Sequence, residues 1–404
     1  MGCIYTRICA EDEDEFMLVD DMEKSSMIAS KTRAPPPRFS RTATTLINLE
    51  PLHGGKPGKR RLTGRGLAAS DSVYYGGGIP GVALDEEALQ SPEYTGAVIG
   101  GYTSSNGKLR WGAHTRAGND PLRRRKENQD SFCVSDALAD EKNVTFFSVF
   151  DGHGPEGAHI SHFVREAYHQ SLTATYKDVI LQQRATQRAS VGNDLMAETF
   201  QRAAQSVTEK LTATTMDISV SGTTAVGLLV CERDIFVANL GDSRAVVAEF
   251  DEEKGSYVVR HETKDHKPEL PDERQRIEAH NGRVFEWGSY RVWLQDVDMP
   301  GLAMSRSFGD SVAKTVGVTS EPDVVYVDRV PFSNTEHPSF AVLASDGVWE
   351  FISTDECLAL ISECILSANM SPQEACNALI AEAYDRWNAE EDVVDDITAI
   401  VVYF

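Results

Sequence analysis

Four apolar runs of strand length each begin or end on aspartate, and this pattern constrains the chain more than any other. FFSVF (146–150) runs straight into Asp151-Gly152-His153. SFAVLAS (339–345) runs into Asp346-Gly347, and ITAIVVYF (397–404) follows Asp395-Asp396. RKENQD sets Asp130 just before a further short apolar run. Each carboxylate therefore stands where a core strand reaches the edge of its domain. An ionised carboxylate there is costly unless something satisfies it, and several together raise one another's pKa. A divalent cation removes both costs. All-oxygen donors point to a hard ion, Mg²⁺ or Mn²⁺, rather than zinc. Taken singly, an Asp-Gly pair is most often only a turn. The metal reading gains its weight from three such turns on apolar strands in one acidic domain.

The remaining strand-like runs are 143–150, 223–231, 234–240 and 243–250. Helical patterns cover 155–176, 194–214, 272–280, 354–366 and 372–387. The last has a clear start in Ser371-Pro372 with Glu374 three residues after the cap. IFVANLGDSRAVVAEF reads as an antiparallel hairpin closed by a Gly-Asp turn. Strands in pairs and helices in blocks favour an α+β sandwich over a doubly wound parallel sheet.

The first hundred or so residues differ in kind. Residues 11–23 carry eight acids and no base, whereas 31–65 carry nine Lys or Arg against one acid. Blocks of single-sign charge with Pro and Gly build a poor core, so 1–100 reads as a largely disordered tail and 107–404 as the folded domain. The net charge of −23 disfavours nucleic acid as a partner. Seven cysteines without a C-x-x-C pair suit a reducing compartment rather than a disulfide framework or a zinc site.

At this level the chain resembles the metal-dependent Ser/Thr protein phosphatases of type 2C. The motifs RRRKENQDSF, VFDGHGPEGA, SGTTAVGLLV, NLGDSRAVV, DHKPELPDERQRIEAHNGRV, PGLAMSRSFGD, EPDVV, LASDGVWEF and DDITAIVV occur in the family's order. The resemblance implies a four-layer α-β-β-α sandwich of two antiparallel sheets, with two Mg²⁺ or Mn²⁺ ions in a cleft at one edge. It implies that Asp151 reaches both ions, that Asp346 and Asp395 hold the first, and that the Gly152 carbonyl and Asp130 serve the second. His153 is then the group that protonates the leaving Ser or Thr oxygen. Arg125 is the expected phosphate-binding arginine, with Arg124 an alternative. Asp242 is expected to hold its turn rather than a metal. Two departures stand out. Gln129 replaces an acid that the family often carries, and Ser219, with Asp217 nearby, leaves a third ion unexpected. The substrates implied are proteins phosphorylated on Ser or Thr, and a monomer is expected. Segments at about 265–300 are expected to be flexible and to shape substrate choice. A pseudophosphatase that binds phosphoproteins, or a membrane scaffold, is the alternative that Gln129 leaves open.

MGCIYT matches the N-myristoylation pattern on Gly2, with Cys3 and Cys9 as candidates for palmitoylation. Two acyl chains would hold the protein at the cytosolic face of a membrane, with the plasma membrane expected; otherwise the protein is cytosolic. The alternative is an unmodified tail.

Overall fold

The computed structural model describes residues 72–76, 98–104, 109–183, 192–232, 234–328, 330 and 336–404. Two six-stranded antiparallel sheets stack face to face. The first runs Ser72–Gly76, Ser131–Asp136, Val144–Phe150, Ala225–Cys231, Asp234–Leu240 and Asp323–Val327. The second runs Ser256–Glu262, Arg244–Asp251, Phe340–Ala344, Ile397–Tyr403, Arg110–Arg116 and Val98–Thr103. Strands Ser72–Gly76 and Val98–Thr103 precede the boundary at 107 read from the sequence. The tail reading for 1–100, with Gly2, Cys3 and Cys9, otherwise lies outside the described residues.

Period-two alternation sorts the side chains into layers. Phe147 and Val149 point between the sheets with Trp111, Leu228, Val247, Leu343 and Ile400. Phe146 and Phe150 point the other way, onto helices Gly157–Thr175 and Asn193–Thr212 through Tyr168 and Phe200. On the far side, Val342, Ala399 and Val401 pack against Ile361, Leu379 and Trp387 of helices Thr354–Leu366 and Pro372–Glu390. The result is the expected α-β-β-α sandwich. Both outer helices of the second layer start on a complete capping box, Ser353 with Glu356 and Ser371 with Glu374.

One expectation is overturned. IFVANLGDSRAVVAEF is not a hairpin: Asp234–Leu240 pairs within the first sheet and Arg244–Asp251 within the second. Both runs are apolar on both faces, so each occupies the interior of a sheet, and the Gly-Asp turn carries the chain between layers. Gly241 sits there at φ +109°, and a Cβ on it would come within 2.6 Å of the Thr224 methyl. The stretch near 265–300, expected to be flexible, contains helix Pro271–Ala279 and a small sheet, Arg283–Trp287, Ser289–Trp293 and Pro300–Leu302. Its aromatic side chains stack, with Phe285 and Trp287 both on Trp293.

Candidate active site

Register alone brings the acids together. Ser131 pairs with Phe150, so Asp130 and Asp151 leave the first sheet at the same end. Ala344 pairs with Ala399, so Asp346 and the Asp395-Asp396 pair leave the second sheet at one end. Ser345 joins the two: its hydroxyl donates to Asp130 Oδ2 at 2.8 Å and accepts from the Thr398 N–H at 3.0 Å. Asp242, on the crossing turn, belongs to the same edge, and its charge reaches both Asp151 and Asp346.

The electrostatics are those of crowded acids, Asp130 and Asp396 buried and Asp151, Asp346 and Asp395 half-buried. Burial pushes the Asp151 carboxyl well above its ordinary range, and the charges of Asp346, Asp130, Asp395 and Asp242 push it further. Asp130 is raised by burial and then by Asp396. Asp346 is raised to about 7, by burial first and then by Asp395 and Asp242. Asp396, raised to about 6 chiefly by burial, accepts from the Gly118 and Gln129 amides at 2.7 and 2.9 Å.

Two lysines answer this negative field. Lys126 Nζ lies 3.0 Å from Asp395 Oδ1, and Lys267 Nζ lies 2.6 Å from Asp242 Oδ2. Burial opposes the charge on each. The neighbouring carboxylates outweigh it and hold both ammonium groups protonated above the usual lysine range.

His153 is placed by a short pairing of Gly152–His153 with Gly222–Thr223. Its Nε2 meets Asp310 Oδ2 at 2.7 Å, and Ser307 Oγ donates to that same oxygen at 2.6 Å. Burial would lower the His153 pKa, but the Asp310 charge prevails and raises it. Nδ1 is buried and has no hydrogen-bond partner among the described residues. A Cβ on Gly152 would lie 2.4 Å from the Gln129 carbonyl oxygen and 2.5 Å from that of Gly157, so no side chain fits there.

Asp130, Asp151, Gly152, Asp346 and Asp395 thus converge, with His153 beside them. Gln129 turns away: its amide Nε2 donates to the Gly154 carbonyl at 2.8 Å and braces the turn after His153. The arginines divide. Arg124 is bound to Asp120 at 2.6–2.7 Å and Arg123 donates to Asn388, while Arg125 is exposed five residues before Asp130. Ser219 donates to Asp217 in a local turn. Sequence reasoning missed Asp310, Lys126 and Lys267 as parts of this site. Each lies inside a quoted motif (SRSFGD, RKENQD, DHKP), and nothing local marks which acid each one faces.

Among the described residues, no three or more His, Cys, Asp or Glu side chains form a ready cage for a metal. Hard cations do not need one. Mg²⁺ keeps several waters and takes one or two carboxylates, with carbonyl oxygens completing the shell. Buried carboxylates that repel one another, beside a glycine carbonyl, are a donor set of that kind.

A family model described as protein phosphatase 2C matches residues 118–392. The chain is 33% identical over 320 residues to "Probable protein phosphatase 2C 64" of Oryza sativa subsp. japonica, covering 76% of this chain and 69% of that one. It is 35% identical over 290 residues to "Probable protein phosphatase 2C 34" of Arabidopsis thaliana, covering 69% and 77%. Among solved structures, a serine-threonine phosphatase 2C from Toxoplasma gondii superimposes with a TM-score of 0.63 at 21% identity, over 76% of this chain and 98% of that one.

Proposed function

The chain belongs to the protein phosphatase 2C family and is a protein serine/threonine phosphatase; from that premise we propose how its own residues perform the hydrolysis and where in the cell they do so. The family depends on Mg²⁺ or Mn²⁺, and we assign two such ions to the carboxylate edge. Asp346 and Asp395 would hold the first and Asp130 and the Gly152 carbonyl would serve the second, with Asp151 contributing to both. Bound there, the ions would supply a nucleophile made from water and neutralise charge on the phosphoryl oxygens.

The chain's residues do the rest. The Arg125 guanidinium has the planar fork that suits two phosphoryl oxygens. His153 delivers a proton from Nδ1 to the departing Ser or Thr oxygen, while Asp310 fixes the ring through Nε2. An alkoxide is a poor leaving group, so this proton matters most for real phosphoproteins. The observation that carries the reading is the convergence of Asp130, Asp151, Asp346 and Asp395 from four strand ends at one edge.

The test is hydrolysis of p-nitrophenyl phosphate and of a phosphothreonine peptide with Mn²⁺. EDTA, Asp151→Ala and Asp346→Ala should each abolish turnover. Turnover without metal, a wild-type rate in Asp346→Ala, or a phosphate trapped covalently on the polypeptide would each refute the reading.

We further place the enzyme at the cytosolic face of a membrane through acyl groups on Gly2 and Cys3. The MGCIYT pattern supports this, and no described helix is long and apolar enough to cross a membrane. Gly2→Ala should move the protein to the soluble fraction; unchanged fractionation would exclude the anchor.

A further inference from the structure

Lys126 is not a loose surface lysine. Its backbone N–H donates to the Gly118 carbonyl at 3.0 Å. The Gly118 and Gln129 amides in turn both donate to the Asp396 carboxylate. Residues 118–129 are thereby stapled onto 394–396, and Asn119 pairs with Val394 beside them. The approach is close: a Cβ on Gly118 would fall 2.1 Å from the Val394 carbonyl oxygen and 2.6 Å from that of Asp395. The Lys126 side chain, 32% exposed, meets Asp395 Oδ1 at 3.0 Å. Asp396 and Asp130 also act on its charge.

We propose that Lys126 is an internal counter-cation: it neutralises Asp395 in the metal-free enzyme, must give way when the first ion takes that carboxylate, and so sets how much free Mg²⁺ or Mn²⁺ the enzyme requires. The inference rests on the metal reading above. A unit positive charge within a few ångströms of a cation site repels the incoming ion. Its removal leaves the carboxylate both free and more strongly attractive to a cation. Lys267 stands in the same relation to Asp242, but Asp242 is not among the assigned ligands, so the test falls on Lys126.

The experiment is calorimetric titration of MnCl₂ into the full chain after EDTA removal, comparing wild type, Lys126→Met and Lys126→Arg, each checked by far-UV circular dichroism. Lys126→Met should bind its first ion about tenfold more tightly, and Lys126→Arg should stay near wild type because it keeps the charge. In EDTA, Lys126→Met should melt at a lower temperature, since Asp395 has lost its counter-charge. An Mn²⁺ affinity in Lys126→Met equal to or weaker than wild type overturns the proposal. If that variant does not fold without metal, Lys126→Gln is titrated and held to the same criterion. A wild type that neither binds Mn²⁺ nor hydrolyses phosphate with it would refute the metal reading itself. Binding by wild type with no gain in the variant refutes only the role of Lys126.

Discussion

Replacing Asp346 with asparagine should destroy activity and yet stabilise the metal-free protein. Desolvation first, and then the charges of Asp395 and Asp242, raise the Asp346 carboxyl from the ordinary 3.8 to about 7. The sign follows from proton binding. Between those two values the folded chain holds a proton that the unfolded chain has released, so stability falls as pH climbs through this window and stays low above it. A rise of this size withholds about 4 kcal/mol from the ionised folded state. Part of that penalty is shared with Asp151, which relaxes when its neighbour loses charge, so the net gain in Asp346→Asn is about 2–4 kcal/mol at pH 8. For a domain of this size such a gain raises the melting temperature by about 5–10 °C. The assay is thermal unfolding in EDTA from pH 5 to 8.5. Asp346→Asn should melt above wild type at pH 8, and the gap should narrow toward pH 5. Mn²⁺ should then raise wild type more than the variant. A variant no more stable than wild type at pH 8, or a gap independent of pH, would refute the idea that repulsion among these acids is what the cations relieve.

Other outcomes follow from the same geometry. His153→Gln and Asp310→Asn should lower kcat on a phosphothreonine peptide by about 10²-fold. Both should affect p-nitrophenyl phosphate far less, because nitrophenolate leaves without a proton; equal losses on the two substrates would exclude the proton-donor role. Gly347→Ala places a Cβ 2.0 Å from the Asp396 carbonyl oxygen, a backbone atom that cannot move alone. Denaturant titration should show a loss of about 3 kcal/mol or more, together with loss of activity. Phe147→Ala opens a cavity between the sheets, where the ring meets Trp111 edge-on, and should cost about 3–5 kcal/mol by the same titration. Ser353→Ala and Ser371→Ala each remove a capping box and should cost about 1 kcal/mol, with unchanged kcat.

The helices were legible because their punctuation is local. The expected segment 354–366 coincides with helix Thr354–Leu366, and Ser371-Pro372 with Glu374 fixed the start of the next. The acids were legible for a similar reason, since an apolar run ending on Asp marks a strand end whatever sheet it joins. Which sheet was not legible. Runs buried on both faces carry no alternation, so nothing in 234–250 says that the chain changes layer at Gly241. Edge strands Ser256–Glu262 and Asp323–Val327 are largely half-exposed or exposed, and their short apolar stretches carry no buried alternation to read. Asp310 was out of reach because its partnership with His153 spans 157 residues.

The geometry also explains why this fold can keep such a site at all. The acids that converge come from both sheets, and the Ser345 hydroxyl bridges them by bonding Asp130 of one layer while accepting from Thr398 of the other. Repulsion at this edge therefore acts directly to part the layers. Three apolar cores oppose it, one between the sheets and one under each helical pair. The lysines at Asp395 and Asp242 lower the repulsion without removing it. A cation bound at this edge would relieve that repulsion and, by binding only the folded arrangement, would favour the two sheets staying together.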